Sequence, residues 1–293
     1  MTAIGMDIGG MSAKIGVVRG QTVVEDVRLP TSPELDYGTF LDAVCRAVEP
    51  LRDRYGAEKL GISSCGLIDG TRGAIVYSNN IRWENKPIAP DLSARLGLPV
   101  KIANDAKCAA LAEAVYGAGK HWDRVCMITL GTGVGGCFIR GRRLESGSPY
   151  ADADGILGHI TVERGGRPCT CGRRGCLEAY ASATAVMDLY REKTGEACTA
   201  RDVFLRAAGG EPAAKEVTET FRFYLGEGLI SLVNVLRPEV IVLGGGVAGA
   251  ADQFLPELRA QVNRGIFGGA LLPVRIETAV LRNEAGIIGG ALL

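Results

Sequence analysis

His159, Cys169, Cys171 and Cys176 bring three of the chain's nine cysteines and one of its two histidines close together in the sequence. The cysteines have the spacing C-x-C-x4-C, with the histidine ten residues upstream. Three thiolates and one imidazole make a tetrahedral Cys3His set suited to structural Zn2+, with no vacant position at which catalysis could occur. Gly165, Gly166, Pro168, Gly172 and Gly175 let a short loop fold tightly around an ion, and Arg167, Arg173 and Arg174 offset the charge of three thiolates. A metal-free loop would leave neighbouring thiols open to oxidation. Zinc is the expectation.

A second set of residues suits phosphate. Gly131 to Gly136 spell GTGVGG, which matches G-x-G-x-x-G, but CFIRGRRL follows and its Arg-Gly turn suits a strand. A dinucleotide fingerprint needs a helix there, and no glycine stretch ends in the G-K-[ST] of a P-loop. What remains is a glycine-rich hairpin, whose bare backbone N–H groups can point at phosphate oxygens. A tight turn would account for any one such stretch. The related stretch after Asp7, containing Gly9 and Gly10, together with Gly244-Gly245-Gly246, favours phosphate binding.

Asp7 precedes the first turn, where a carboxylate could hold Mg2+ against a nucleotide's phosphates or simply stabilise the turn. Lys14 could add positive charge there, although a solvated strand residue is the readier explanation. Asn104-Asp105 sits between a predicted strand and a predicted helix, where Asn or Asp is ordinarily an N-cap. At a strand end facing a cleft, the same carboxylate could take a proton from an attacking hydroxyl, as phosphoryl transfer requires.

These residues need elements to position them. Ile4–Val24 and Cys126–Leu144 share one pattern: apolar stretch, glycine turn, apolar stretch, Arg-Gly, then a third extended piece. Each predicts a β-meander, and two copies predict two related halves. Phe40, Leu41, Val44, Val48 and Leu51 have helical spacing within a helix over Tyr37–Tyr55. A strand is predicted over Lys59–Ser64, a turn over Gly66–Gly70, a strand over Val100–Ala103 and a helix over Ala106–Tyr116. Helices follow over Ala181–Lys193, Thr199–Ala208 and Pro212–Leu236. Val240–Leu243 and Val274–Thr278 are predicted strands, and Glu284–Leu293 is a predicted helix. The fold class is α/β with two domains and an interdomain cleft. Residues 1–117 form a small N-terminal domain, onto which helix 284–293 packs back. Residues 118–283 form a larger domain with the zinc loop.

The 293 residues are 47% hydrophobic, and 33 basic residues balance 33 acidic ones. A neutral chain offers no global field for nucleic acid or an anionic membrane. No apolar run approaches the roughly 20 residues of a spanning helix. MTAIGMDIGG lacks the basic start and long apolar stretch of a signal peptide, so a cytoplasmic protein with reduced cysteines is expected. Cys45, Cys65, Cys108, Cys126, Cys137 and Cys198 lie in mainly apolar stretches and are expected to be buried, inert thiols.

Together these residues resemble the ROK family of bacterial sugar kinases. The resemblance runs from Asp7 to the C-terminal helix through DIGG, CGLID, NNIRW, AND, LGTGVGG, GH, CTCGRRGCLE and VLGGGV, and the cysteine loop after the Gly-His pair is its most specific part. It implies an actin-like (ribonuclease H-like) ATPase fold, with ATP and a sugar bound in the cleft and zinc near the sugar. It also implies a homodimer or tetramer.

By that resemblance Asp105 is the catalytic base for the sugar's 6-hydroxyl, and Asn104 bonds a neighbouring hydroxyl. His159 puts one ring nitrogen on zinc and the other towards the sugar. Glu178 accepts from a sugar hydroxyl, and Gly66 and Asn80 lie beside the sugar. Asp7, Gly9, Gly10, Lys14 and the run Gly131, Thr132, Gly133, Gly135, Gly136 hold the phosphates, with Gly245 and Gly246 near adenosine. The implied activity is ATP- and Mg2+-dependent phosphorylation of a glucose- or mannose-type hexose or an N-acetylhexosamine.

Three positions depart from the family pattern. Ile156 stands where G-E-x-G-H has its sugar-binding carboxylate, and Asp152 and Asp154 nearby are out of register. Loss of such an acceptor weakens sugar binding by about 1–3 kcal/mol or changes the preferred sugar. A sugar-binding relative with weak kinase activity is therefore the alternative. Met11 replaces the usual Thr and is expected to be tolerated packing; Lys107 replaces Asn and is expected on its helix's surface. A family member regulating transcription through a helix-turn-helix is not expected, since only six residues precede Asp7.

Overall fold

The computed structural model describes residues 2–145 and 155–293. Its described residues divide into two compact units: 2–120, 142–145 and 281–293 form one, and 121–141 with 155–280 form the other. Each has its own apolar core, around Ile4, Met6, Phe40 and Ile62 in the first unit and around Ile128, Leu177, Phe204 and Phe221 in the second.

The first unit begins with β1 (Thr2–Ile8), β2 (Ser12–Arg19) and β3 (Thr22–Pro30), followed by α1 (Tyr37–Tyr55) and β4 (Leu60–Ser64). Next come β5 (Leu67–Asp69), β6 (Ala74–Ser78), β7 (Trp83–Lys86), α2 (Ile88–Leu96), β8 (Val100–Asn104) and α3 (Asp105–Val115). The main sheet has the order β3-β2-β1-β4-β8. Its first three strands are antiparallel, and β1, β4 and β8 run parallel. All five residues of β4 are buried, as a parallel strand covered on both faces requires. At the edge, β3 carries Glu25, Asp26 and Arg28 among half-buried residues, which blunts an otherwise unpaired edge. The Asp36 side chain caps α1 by accepting from Thr39 N at 2.8 Å, and Gly56 ends it at φ 64°.

The second unit contains β9 (Arg124–Leu130), β10 (Val134–Arg140), α4 (Glu178–Ala181), α5 (Ala183–Thr194), α6 (Ala200–Ala208) and α7 (Pro212–Leu236). After these come β11 (Val240–Gly244), α8 (Leu255–Gly265) and β12 (Arg275–Thr278). Its sheet has the order β10-β9-β11-β12. The two meander copies correspond: β1 pairs antiparallel with β2 and parallel with β4, and β9 pairs antiparallel with β10 and parallel with β11.

Several expectations change. Among the described residues the second meander has no third strand. Thr22–Pro30 alternates, whereas Arg142, Arg143, Leu144 and Glu145 offer one apolar residue among charges, and Arg142 has φ 57°. Leu67–Asp69 is a strand paired with β6 rather than part of a turn. The helix expected over Ala181–Lys193 breaks at Ser182, whose hydroxyl accepts from Ala185 N at 3.0 Å to start α5. The sequence reading missed α2 and α8, because each carries a proline near its start and is too short to establish periodicity.

The unit boundaries also differ from residues 117 and 283. Buried Glu113 accepts from Ala118 N and Leu281 N, both at 2.8 Å, and Arg142 donates to Lys120 O at 2.5 Å. These bonds hold residues 118–120, 142 and 281 with the first unit.

The last helix, α9 (Ala285–Leu292), lies against β1, β4 and α3. Backbone meets backbone there. A β-carbon on Gly5 would lie 1.8 Å from Ile287 O, and one on Gly61 would lie 1.8 Å from Gly290 O. Neither neighbour is a flexible side chain that could yield. Gly61→Ala is expected to destabilise the protein by about 3 kcal/mol, read as a lower urea midpoint; an unchanged midpoint would contradict this packing. Among the described residues no helix is long and apolar enough to cross a membrane.

Candidate active site

The first unit gathers its polar residues at the C-terminal ends of β1, β4 and β8. Asp7 lies near the end of β1, with Lys14 opposite it on β2. Buried Ser63, on β4, donates to Asp7 Oδ1 at 2.7 Å, and the N-terminal turn of α9 brings Gly286 against the same carboxylate. No sequence motif pointed to Ser63 or Gly286; they reach Asp7 only through strand pairing and the return of α9. Gly9, Gly10 and Met11 make the β1–β2 turn, with Gly9 N donating to Ser12 O at 3.0 Å and Thr31 Oγ1 to Gly9 O at 2.7 Å. A β-carbon on Gly10 would approach Asn80 Cβ to 3.1 Å, so Gly10 and Asn80 are neighbours.

Asn104 ends β8 and caps α3. Its Oδ1 accepts from Ala106 N at 3.0 Å, and its Nδ2 donates to Gly66 O at 3.1 Å. Gly66 has φ 105° and lies where a β-carbon would sit 2.4 Å from Tyr77 O, so only glycine fits. Asp105 is the first helical residue, and one of its oxygens, Oδ1, accepts from Ala106 N at 2.9 Å. Because Asn104 supplies the cap, the helix does not depend on Asp105 for that role. Asp105 is exposed by surface area, yet protein crowds its carboxyl. This crowding is the largest influence on its pKa, which lies above the usual Asp range. The Ala106 N–H opposes the elevation, and the nearby Asp7 carboxylate adds to it.

In the second unit, Gly131–Gly133 form the turn between β9 and β10, with Gly131 N donating to Gly133 O at 3.0 Å. Thr132 O accepts from Thr184 Oγ1 at 2.7 Å, and Gly131 O from Ala183 N at 2.7 Å. Gly135 and Gly136 lie beyond the turn, in β10. The bare face of Gly136 packs on Met127 O and Leu157, close packing rather than an exposed amide nest. Gly131, Thr132 and Gly246 line a cavity of about 770 Å³ with Arg201, Phe204 and Gln253. Gly245 adjoins it at φ 84°, where a β-carbon would clash with Leu130 O. The last three cavity residues follow no motif, and only the folding of α6 and the 246–253 turn brings them here.

His159, Cys169, Cys171 and Cys176 place one ligand atom each within 4.8 Å of one another. Cys169 Sγ lies 3.5 Å from His159 Nδ1, and Cys171 Sγ lies 3.7 Å from Cys176 Sγ. A tetrahedron with Zn–S of about 2.3 Å and Zn–N of about 2.0–2.1 Å has edges of about 3.8 Å and 3.5 Å. The donor set fits zinc, and the sulfurs are too far apart for disulfides. Backbone bonds shape the loop, including Cys169 N to Arg173 O at 2.9 Å and Gly172 N to Cys169 O at 3.0 Å. Arg173 also anchors it by donating to His159 O and Thr161 Oγ1. Glu178 follows the loop, and its Oε2 accepts from Val134 N at 3.0 Å.

A family model described as ROK matches residues 3–293. The chain belongs to the ROK family. It is 33% identical to a glucokinase of Streptomyces coelicolor over 98% of this chain and 96% of that one. It is also similar to a ROK hexokinase of Thermus thermophilus (33% identity, TM-score 0.88, covering 100% of this chain and 97% of that one). A Streptomyces griseus ROK glucokinase solved with glucose and AMPPNP matches at 31% identity and TM-score 0.80, over 99% of this chain and 98% of that one. The fold is the actin-like ATPase fold of the ROK kinases.

Two departures from the ROK pattern are resolved against expectation. Lys107 is only 5% exposed and lines a cavity of about 450 Å³ with Lys101 and Leu111, because α3 turns that face inward. Met11 is 89% exposed, so it does not pack. Ile156 is exposed as well, three residues from His159. Asp152 and Asp154 lie outside the described residues. Cys65, Cys108, Cys126 and Cys137 are buried, whereas Cys45 and Cys198 are half-buried. Burial pushes the Cys126 thiol up to about 12, consistent with an inert core residue.

Proposed function

We propose that this ROK sugar kinase transfers the γ-phosphate of ATP to the 6-hydroxyl of a hexose or an N-acetylhexosamine, with Asp105 as general base. The observation that carries the reading is the placement of Asp105. Asn104 supplies a cap for α3, and crowding raises the Asp105 carboxyl above the ordinary Asp value, which makes it a stronger proton acceptor. Asn104, bonded to Gly66 O beside Asp105, and Asn80, beside Gly10, would position the sugar. His159 Nδ1 faces the cysteines, which leaves Nε2 for a sugar hydroxyl. The 770 Å³ cavity, lined by Gly131, Thr132 and Gly246, is assigned to adenosine and the adjoining Gly131–Gly133 turn to phosphate, because glycines leave room for close approach to backbone amides.

In the proposed step Asp105 accepts the 6-hydroxyl proton as that oxygen attacks the γ-phosphorus and the bond to the β-phosphate oxygen breaks, releasing ADP; the Thr132 and Gly133 amides would receive charge from the donor's phosphates. Asp7, oriented by Ser63, with Gly9 and Gly10 and with Lys14 across the ladder, would hold Mg2+ and phosphate. When bound, Mg2+ would neutralise phosphate charge. The Cys3His set would hold Zn2+ structurally, fixing His159 and the loop.

The same reading includes a cytoplasmic, reducing setting and assembly into a homodimer or tetramer. Exposed Val235, Phe267, Leu271 and Leu272 support the assembly; Arg237 ties their segments together by donating to Phe267 O and Leu272 O. Light scattering checks it.

ADP release over a panel of hexoses and N-acetylhexosamines, read as kcat/KM, tests the activity. One sugar is expected to stand out. The kcat/KM profile for it should lose activity on the acid side as Asp105 is protonated, with a midpoint above that of an ordinary aspartate, because the shift is upward. Sugar binding without turnover would instead favour the weakly active alternative suggested by Ile156. A midpoint within the ordinary range would remove Asp105 as the titrating base.

A further inference from the structure

Glu178 lies where the metal loop ends and α4 begins, and both its oxygens are engaged. Oε2 accepts from Val134 N at 3.0 Å, at the first residue after the Gly131–Gly133 turn. A β-carbon on Gly133 would lie 2.4 Å from the same oxygen, so the carboxylate sits directly against the turn. On the other side, Oε1 accepts from Thr170 Oγ1 at 3.1 Å and lies 3.8 Å from Cys169 Sγ. Thr170 stands between two of the cysteines. One side chain therefore spans from the cysteine loop to the glycine hairpin.

We infer that Glu178 is a positioning residue for the donor phosphates, transmitting the order of the metal-bound loop to the Gly131–Val134 turn. A glycine-rich turn has little conformational preference of its own, so its amides converge on an anion only when something fixes them. Ala183 N and Thr184 Oγ1 hold its carbonyls, while Glu178 holds the amide where the turn enters β10. Because the carboxylate also reaches the loop through Thr170, loosening the loop loosens the turn. This role is additional to any sugar contact by Glu178. It rests on the proposed reading that the hairpin receives phosphate.

Nucleotide binding without sugar separates the possibilities. AMPPNP with Mg2+ is titrated calorimetrically into the wild type, Glu178→Ala, Glu178→Gln and zinc-stripped wild type, with folding checked by circular dichroism and metal content by atomic absorption. Glu178→Ala is expected to keep its zinc and weaken AMPPNP about tenfold, the loss of one charge-assisted hydrogen bond. Glu178→Gln should restore most of that affinity, since its amide oxygen still accepts from Val134 N. Folded, zinc-stripped protein should weaken as Glu178→Ala does. Wild-type AMPPNP affinity in Glu178→Ala would overturn the positioning role while leaving the kinase reading intact. Failure of the wild type to bind AMPPNP would instead strike the kinase reading itself. A variant that lost its zinc would show Glu178 holding the loop itself, and would also overturn the role proposed.

Discussion

Replacing Asp105 with Asn is expected to lower kcat by about three orders of magnitude, within the range general-base catalysis supplies, while leaving zinc content and melting temperature near wild type. The substitution keeps volume and leaves the helix intact, because the cap belongs to Asn104 and the backbone of α3 does not change. KM for the sugar should move little, since the hydroxyl still finds a polar partner. A purified Asp105→Asn enzyme with more than a tenth of wild-type kcat would end the assignment of this carboxylate as the base.

The second large effect is expected at Cys176, the fully buried thiol of the cluster. Cys176→Ala removes a ligand from a set whose separations fit tetrahedral zinc, and a structural site that loses a ligand loses the binding free energy coupled to folding. Zinc content should fall from one ion per chain towards none, and the melting temperature by roughly 5–10 °C. The sugar KM should rise as well, because His159 and Glu178 both depend on the loop. A variant that retained zinc and melted with the wild type would show that Cys176 is a core thiol and not a ligand.

Much of the site was legible because its chemistry is local in sequence. Cys169, Cys171, Cys176 and the turn glycines lie within short stretches, so residue type and spacing restrict what they can do. Ser63, Gly286 and Thr170 were not legible. Each meets a carboxylate through a pairing or a chain return that no local pattern encodes, β1 with β4, α9 with β1, and the cysteine loop with α4. Lys107 misled for a related reason. A lysine on a short helix is ordinarily solvated, and only the packing around α3 turns it inward.

The fold divides in the same way. Alternating apolar residues and glycine turns sufficed for the hairpins β1–β2 and β9–β10 and for α1 and α7, because burial of one face at a fixed period is a property of the segment itself. The sequence by itself determined that two related α/β halves carry a Cys3His cluster and glycine-rich turns. Tertiary structure alone decided that Asn104 reaches Gly66 O, that Glu113 fastens residues 118 and 281, and that α9 lies backbone to backbone on β1 and β4. Those outcomes depend on hydrogen bonds and contacts between residues far apart in the chain, whose geometry exists only once the sheets have formed.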